Sequence, residues 1–439
     1  MSSILPLTFI QAYVCRLLAA GQDDRSVWRP LTLHWAVQVK PTVDSRRLAR
    51  AFLQLQQRHD VLRLGFAETR AGWRAQLHDA VRAELRIIDC GRCDEAEQHR
   101  IVEDHIGCPR DLKNDPLVSL DLFRFEGTGD VILLEVNHLL SDGYGSVLLI
   151  EDFLSLFLGL PLGPDPLGFA KYVQTIAVQS PEQIAAGETY WRDLLLPPAA
   201  PVNIGFLSKG IDPTENHPGP RQGSVHYEFL DHSALDRIND RARTLECTAF
   251  ALTVTAFWAA VRDASGAEEL QVTTLLGRSD ARLEHFAGCH IDMLEMIFRA
   301  DGGRTISTQA KAIHQQIRKS MGYLPHPATV PDNELVQEII EQGGHPRRFN
   351  VRLANSESRE SQSRLAGLLR PSEGKLRLGK YEAQMFPIES SGSTRELAVV
   401  QSRHNDGLCL EFAYDCAAFN ASEIADLAAH QKTLIQFGE

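Results

Sequence analysis

Long apolar runs are missing from this chain of 439 residues: no stretch of 18 consecutive apolar residues occurs, so a membrane-spanning helix is not expected. The N-terminus, Met1-Ser-Ser-Ile-Leu-Pro-Leu7, has no basic lead-in, and Gln11 and Arg16 soon interrupt its apolar residues, which makes a poor secretory signal. Basic clusters are as short as Arg46-Arg47 and Arg347-Arg348, and 45 Lys and Arg stand against 57 Asp and Glu, a formal charge of −12. Phosphate-backbone recognition needs clustered cations, so nucleic-acid binding is not expected. The same acidity argues against adhesion to an anionic bilayer. No GxxxxGK[ST] loop is present, which leaves nucleotide hydrolysis without support. The eight cysteines (15, 90, 93, 108, 247, 289, 409 and 416) are scattered, as suits reduced thiols in a cytoplasm rather than a disulfide scaffold. Cys90-Gly-Arg-Cys93, followed by His99, His105 and Cys108, invites a zinc reading. One knuckle with stragglers is not the two compact ligand turns of a structural zinc site, so no metal is expected.

What is present is ordinary globular composition, 44% hydrophobic and 23% charged, in a chain too long for one core. Residues 31–40 partly alternate apolar and polar side chains and predict a half-buried strand. A helix runs from Thr42 or Asp44 to about His59, with Leu48, Phe52 and Leu55 on its buried face. Short strands near 61–66, 73–78 and 84–89 precede a polar helix near 94–107. Segments 118–126 and 130–137 predict a hairpin across Gly127-Thr-Gly-Asp130, and the apolar run Val131–Val136 predicts a strand covered on both faces. An apolar helix over 144–158 ends at Gly159. Ser180-Pro-Glu-Gln183 marks another helix start, and a domain linker is expected somewhere in 160–223.

The second half repeats the alternation. Strands are expected near 224–230, 269–276, 349–354, 384–389, 396–402 and 407–414. Helices are expected near 232–245, 248–263, 305–320, 333–342 and 421–437. Mixed elements in both halves predict two α/β sandwiches, with domains at 1–180 and 181–439.

His138 follows the covered strand and precedes the apolar helix, where active-site loops tend to lie. On residue chemistry alone it is either a catalyst or a satisfied structural histidine, and His34, His59, His78 and His290 have similar generic claims. Asp142 would turn inward to an arginine and shape the loop, and Gly143 would meet a backbone demand at a sharp turn.

Asn137-His-Leu-Leu-Ser-Asp-Gly143 is similar to the HHxxxDG motif of the condensation domains of nonribosomal peptide synthetases. Further pieces follow in order. Pro6-Leu-Thr-Phe-Ile-Gln11 resembles the opening LSxxQ-type motif, and Arg58-His-Asp-Val-Leu-Arg-Leu-Gly-Phe66 resembles RHExLRTxF. Tyr190-Trp191 resembles the family's YW, Cys247-Thr248 through Gly277-Arg278 follows its T…TG…GR pattern, and Phe349–Asn355 is similar to a late strand. The resemblance implies a fold of two chloramphenicol-acetyltransferase-like α/β lobes forming a V-shaped pseudo-dimer, with a tunnel between them. It implies transfer of an acyl group from a carrier protein's phosphopantetheine thioester to an amine or hydroxyl. His138 would act as general base or as a positioning and oxyanion-stabilising group. Asp142 would be structural and paired with an arginine, Arg63 and Arg278 being the motif-matched candidates. The resemblance also implies no bound cofactor, the phosphopantetheine arm arriving with the carrier-protein substrate.

Three departures stand out. Asn137 replaces the first histidine, a position implied to be mainly structural. Gly288-Cys-His-Ile-Asp292-Met293 stands for the family's GxFVNT, with Asp292 where asparagine faces the substrate channel. That carboxylate is either an attractor for a cationic acceptor or a solvated loop residue. The QDxPFE stretch is reduced to Thr329-Val-Pro-Asp-Asn-Glu334. An EGHGRE segment, a DxxxxD motif and a DFGWG motif are missing, which argues against epimerisation, heterocyclisation and plant-type acyltransferase roles. A polyketide-associated O-acyltransferase and a catalytically silent recruitment domain remain alternatives. A stand-alone, monomeric, cytoplasmic enzyme is expected, meeting an acidic carrier protein in trans through a local basic face, for which Arg347 and Arg348 are the suggested residues.

Overall fold

The computed structural model describes residues 3–175, 179–196, 223–276, 281–300, 305–330, 333–342, 352–355, 375–388, 397–404, 407–416 and 418–438. In chain order the elements begin with β1 (Ser3–Leu5), α1 (Phe9–Ala20), α2 (Arg25–Trp28), β2 (Thr32–Lys40) and α3 (Ser45–Arg58). Next come β3 (Leu64–Thr69), β4 (Gly72–Leu77), β5 (Leu85–Gly91), α4 (Glu95–Glu103), β6 (Val118–Phe125), β7 (Gly129–Asn137), α5 (Gly143–Leu158) and α6 (Phe169–Thr175). They continue as α7 (Pro181–Leu195), β8 (Gly223–Leu230), α8 (His232–Thr244), α9 (Ala249–Ser265), β9 (Glu269–Leu276), β10 (Asp292–Arg299), α10 (Ile306–Met321) and α11 (Glu334–Glu341). The chain closes with β11 (Arg352–Asn355), β12 (Leu376–Leu378), β13 (Tyr381–Met385), β14 (Leu397–His404), β15 (Gly407–Asp415) and α12 (Ala421–Phe437).

Two compact units result. The first comprises Met1–Val178, Gly277–Ile291 and Ser358–Glu389; the second comprises Gln179–Leu276, Asp292–Glu357 and Ser390–Glu439. The expected division at 180/181 therefore meets the first break, but two later stretches return to the first unit. A linear reading misses them because strand pairing, not chain order, assigns β12 and β13 to the sheet of β2.

The first unit holds a six-stranded sheet in the order β12-β13-β2-β7-β6-β5, with a small sheet β1-β4-β3 beside it. β7 is buried along nearly its whole length, as its apolar run predicts. It pairs antiparallel with β2 and β6, so Asn137 lies opposite Thr32. Gly127 and Gly129 take φ of +86° and +103° in the β6–β7 turn, a region that suits glycine. α3 and α5 pack together over the core, with Phe52, Leu55, Phe153 and Trp35 fully or almost fully buried. The second unit holds the sheet β10-β9-β11-β14-β15-β8, under which α9 is buried from Ala251 to Val261. Among the described residues no single helix is long and apolar enough to cross a membrane.

Differences from the sequence reading have local causes. Residues Asp60–Arg63 form a 3₁₀ turn, so the strand expected from 61 begins at Leu64. The strand expected at 384–389 lies earlier, at Tyr381–Met385, set by its register against β2. β10 and α1 had not been expected, although Thr8 and Gln11 make a reciprocal capping box at the start of α1. Helices α6 and α7 occupy part of the expected linker, the Ser180 capping box opening α7.

Candidate active site

The strand β7 ends at Asn137, and the next six residues carry the chain into α5. Four of them, His138, Leu139, Ser141 and Asp142, are fixed by bonds to other parts of the first unit. His138 donates its backbone N–H to the Leu31 carbonyl (2.8 Å), and Asn137 donates its own to the Leu117 carbonyl (2.9 Å). The Asn137 side chain turns back so that its Oδ1 accepts the Leu139 N–H (3.0 Å), an Asx turn that closes the loop. Leu139 and Leu140 are buried in the core. Their burial leaves His138, half-buried, as the imidazole on an anchored loop.

A second anchor comes from α1. Gln11, 1% exposed, donates from Nε2 to the Leu139 carbonyl at 2.9 Å while its Oε1 caps its own helix at Thr8. The opening motif and the histidine motif, 128 residues apart, are thus one structural feature.

A third anchor is the segment Ala281–Ile291. Ser141, fully buried, donates its hydroxyl to the Ala287 carbonyl at 2.7 Å. Asp142 is the N-cap of α5: its Oδ1 accepts the Gly145 N–H (2.7 Å) and its Oδ2 accepts the His290 N–H (2.8 Å). The carboxylate thereby ties the first turn of α5 to the 281–291 segment, with a charge placed favourably at a helix N-terminus. Behind it Tyr172 from α6 stacks on Phe286, ring centroids 4.1 Å apart, and its hydroxyl meets His290 Nδ1 at 3.0 Å.

The expected arginine partner of Asp142 is not Arg63. The Arg63 guanidinium is held by the carbonyls of Gln56, His78 and Asp79, at 3.1, 2.9 and 2.9 Å, where it closes the turn before β3. Arg278 lies outside the described residues, as do Arg347 and Arg348. Gly143 also corrects the sequence reading. Its φ is not in the left-handed region, and a Cβ built there would meet nothing within 4 Å. The glycine that the site requires is Gly145, where a Cβ would lie 2.3 Å from the Ala287 oxygen and 2.5 Å from Ser141 Oγ. A second glycine in the first turn of an apolar helix, where helix propensity disfavours it, was the available signal.

The Arg58-His59-Asp60 run clamps α5 from the other side. Arg58 Nε and His59 Nε2 both reach Asp152 Oδ2, at 2.7 and 2.8 Å, and Asp60 accepts the Phe169 N–H at 2.9 Å, which starts α6. Burial raises the Asp152 carboxyl, but hydrogen bonds from His59 and Arg58 outweigh it and hold the group below the usual carboxylate range. Beneath the loop, Glu135 on β7 accepts the Gly107 N–H (2.8 Å) and the Ser119 hydroxyl (3.1 Å), and burial pushes its carboxyl up.

Asp292 opens β10 in the second unit, opposite Leu276. Its side chain makes no hydrogen bond among the described residues, and desolvation pushes its carboxyl up to about 6. The residue itself is partly buried. The cysteines of the zinc reading have local roles: Cys93 Sγ donates to the Cys90 carbonyl, and Cys108 Sγ to those of Asp104 and His105. His99 stacks on Phe386, and His105 Nδ1 meets the Ile101 carbonyl.

The family described as Condensation domain matches residues 1–437. Surfactin synthase subunit 1 of Bacillus subtilis (strain 168) is 23% identical over 397 residues, 90% of this chain and 10% of that protein. Tyrocidine synthase 3 of Brevibacillus parabrevis is 22% identical over 404 residues, 90% of this chain and 6% of its own length. The chain thus spans a tenth or less of these curated relatives. Among solved structures, the condensation domain from monacolin K polyketide synthase MokA superposes with a TM-score of 0.71 at 15% identity, covering 99% of this chain and 98% of that one. The fold is accordingly the two-lobed, chloramphenicol-acetyltransferase-like α/β fold of condensation domains. With a match along nearly the whole chain and an Asn-His-x-x-x-Asp-Gly loop fixed as described, the chain belongs to the condensation-domain family of nonribosomal peptide synthetases.

Proposed function

We propose that this chain transfers an acyl group from a carrier-protein phosphopantetheine thioester to an amine or hydroxyl acceptor, with His138 as the residue that manages the acceptor's proton. Condensation domains of this type form amide bonds from carrier-bound substrates. The observation that supports the same chemistry here is the loop itself. A histidine carried by a loop whose neighbours bond to Leu31, Gln11, Leu117, Ala287 and His290 keeps its place without help from substrate. Such preorganisation is what proton transfer and positioning require.

In the proposed step the acceptor nitrogen or oxygen attacks the thioester carbonyl carbon, giving a tetrahedral intermediate. The C–S bond then breaks, the acceptor's proton passes to His138 Nε2 or Nδ1, and the leaving thiolate of the arm takes it up. An amine with a pKa near ~8 is partly deprotonated already, so positioning dominates; a hydroxyl needs the base more. Asp142 and Asn137 shape the loop and take no part in proton transfer. Asp292, uncharged below about pH 6 and anionic above it, is proposed as a substrate-channel group that favours a cationic acceptor. The phosphopantetheine arm belongs to the carrier substrate.

The test is product formation from an acyl-loaded carrier and a panel of amines and alcohols, followed by mass spectrometry. His138→Ala is expected to lower turnover by about 10²–10⁴-fold, the range for loss of a general base. Undiminished product from that variant would remove His138 from catalysis. A wild-type protein that never discharges its carrier would favour the recruitment reading.

A further inference from the structure

The chain is acidic overall, but one face of the first unit is basic. α3 contains Arg46, Arg47, Arg50 and Arg58 and no Asp or Glu, and its first three arginines are solvent-facing. The β12–β13 hairpin adds Lys375, Arg377 and Lys380, all exposed, and Lys40 ends the neighbouring strand β2.

An aromatic pair joins the two elements. Phe157 of α5 and Tyr381 of β13 have ring centroids 5.5 Å apart. The Arg47 guanidinium lies over Phe157 at 5.6 Å, and Lys380 Nζ lies over Tyr381 at 5.1 Å. The rings hold one cation on each side and make α3 and the hairpin a continuous surface. Two acids lie on these elements. Asp44 spends its Oδ1 on the Arg46 and Arg47 backbone amides, and Glu382 pairs with Lys375 at 2.7 Å. Arg46, Arg50, Arg377 and Lys380 make no ion pair among the described residues. Leu53, 43% exposed, lies on α3 three residues beyond Arg50 and gives the basic row an apolar centre.

We infer that α3 and the β12–β13 hairpin form the docking surface for the acidic carrier protein. The inference rests on the carrier-dependent function proposed above and supplies the surface it lacks. Charge complementarity selects the occupant. A local excess of cations on a chain of net charge −12 attracts a small acidic folded domain that touches only this face. An extended polyanion such as a nucleic acid, or an anionic bilayer, would also meet the surrounding negative charge. An exposed leucine among arginines is the composition of a protein–protein contact.

The surface lies at the C-terminal end of α5, and His138 precedes its N-terminal end. The 16 residues of that helix separate them by about 24 Å. A partner seated here therefore governs encounter and leaves the histidine loop untouched.

The test is binding of fluorescently labelled holo carrier domain from the same biosynthetic system, read by anisotropy at low and high salt. Variants are Arg46→Glu/Arg50→Glu/Lys380→Glu, and Arg237→Glu on the exposed face of α8 as control. Circular dichroism melting verifies that the surface variants fold. Expected is a loss of affinity of at least about tenfold at low salt for the triple variant, a flatter salt dependence, and no change for the control. Equal affinity of triple variant and wild type overturns the surface, as does patch-dependent binding of duplex DNA or phosphatidylserine vesicles without carrier binding. Turnover of a soluble pantetheine thioester separates the two readings: if the carrier docks through this face but no thioester is ever consumed, the functional reading fails and the surface stands.

Discussion

Gly143 and Gly145 stand two residues apart and do opposite things. Gly143→Ala places a methyl group in open space at the first position of a helix, where alanine is the better helix former, so stability should stay level or rise by up to about 1 kcal/mol. Gly145→Ala drives a methyl into the Ala287 carbonyl and the Ser141 hydroxyl, with an expected loss of about 1–3 kcal/mol. Chemical denaturation of the two variants checks the contrast; equal stability would show that the 281–291 segment does not press on α5. Asp292 makes a pH prediction. Its folded carboxyl titrates near 6 and its unfolded one near the ordinary 3.8, so the folded state holds the proton more tightly. Stability from this group therefore falls as pH rises from about 4 to about 6, and the penalty is full above that. Asp292→Asn should raise the Tm at pH 7 and leave it nearly unchanged at pH 4, as calorimetry would show.

At the scale of elements, the candidate site is made by three of them meeting one loop. α1 contributes Gln11, α5 its own N-terminus, and the 281–291 segment the Ala287 carbonyl and the His290 amide. Asp142→Ala would leave the Gly145 and His290 amides without their acceptor. Each lost partner costs about 1–3 kcal/mol, in addition to the helix cap. Asp142→Asn keeps one acceptor oxygen and should fall between the two. Gln11→Ala should release the Leu139 carbonyl and lower kcat more than it raises KM for the carrier, because the loop that carries His138 loosens while no docking residue changes. A steady-state comparison reads this directly, and an effect confined to KM would place Gln11 in substrate binding.

Across the whole molecule the buried carboxyls set the response to acid. Asp60 and Glu135, like Asp292, are raised by burial, so each stabilises the folded state progressively as pH falls through its folded pKa. Asp152 is lowered by His59 and Arg58, and its contribution is lost only at strongly acidic pH. The net charge of −12 at pH 7 also shrinks towards the pI of about 5.8, which reduces self-repulsion. The Tm should accordingly be higher near pH 5.5 than at pH 7.5 and drop steeply below pH 4. A Tm that rises steadily from pH 5.5 to 7.5 would contradict it.

Local chemistry was enough for the elements whose signals are short-range. Alternation and apolar runs gave β2 and β7, Asp44 and Ser180 gave their helix starts, and Gly159 gave the end of α5, its φ of +72° being one that glycine adopts freely. The ordered motifs located His138 and Asp142. Tertiary structure alone decided the rest, because hydrogen bonds across 128 to 148 residues leave no periodic trace in a sequence. It put Gln11 and His290 on the same loop, gave Arg63 to three carbonyls instead of Asp142, and moved the glycine requirement from 143 to 145. It also returned residues 376–385 to the sheet of β2, where the edge of a strand from far earlier in the chain supplies the backbone partners that the hairpin needs.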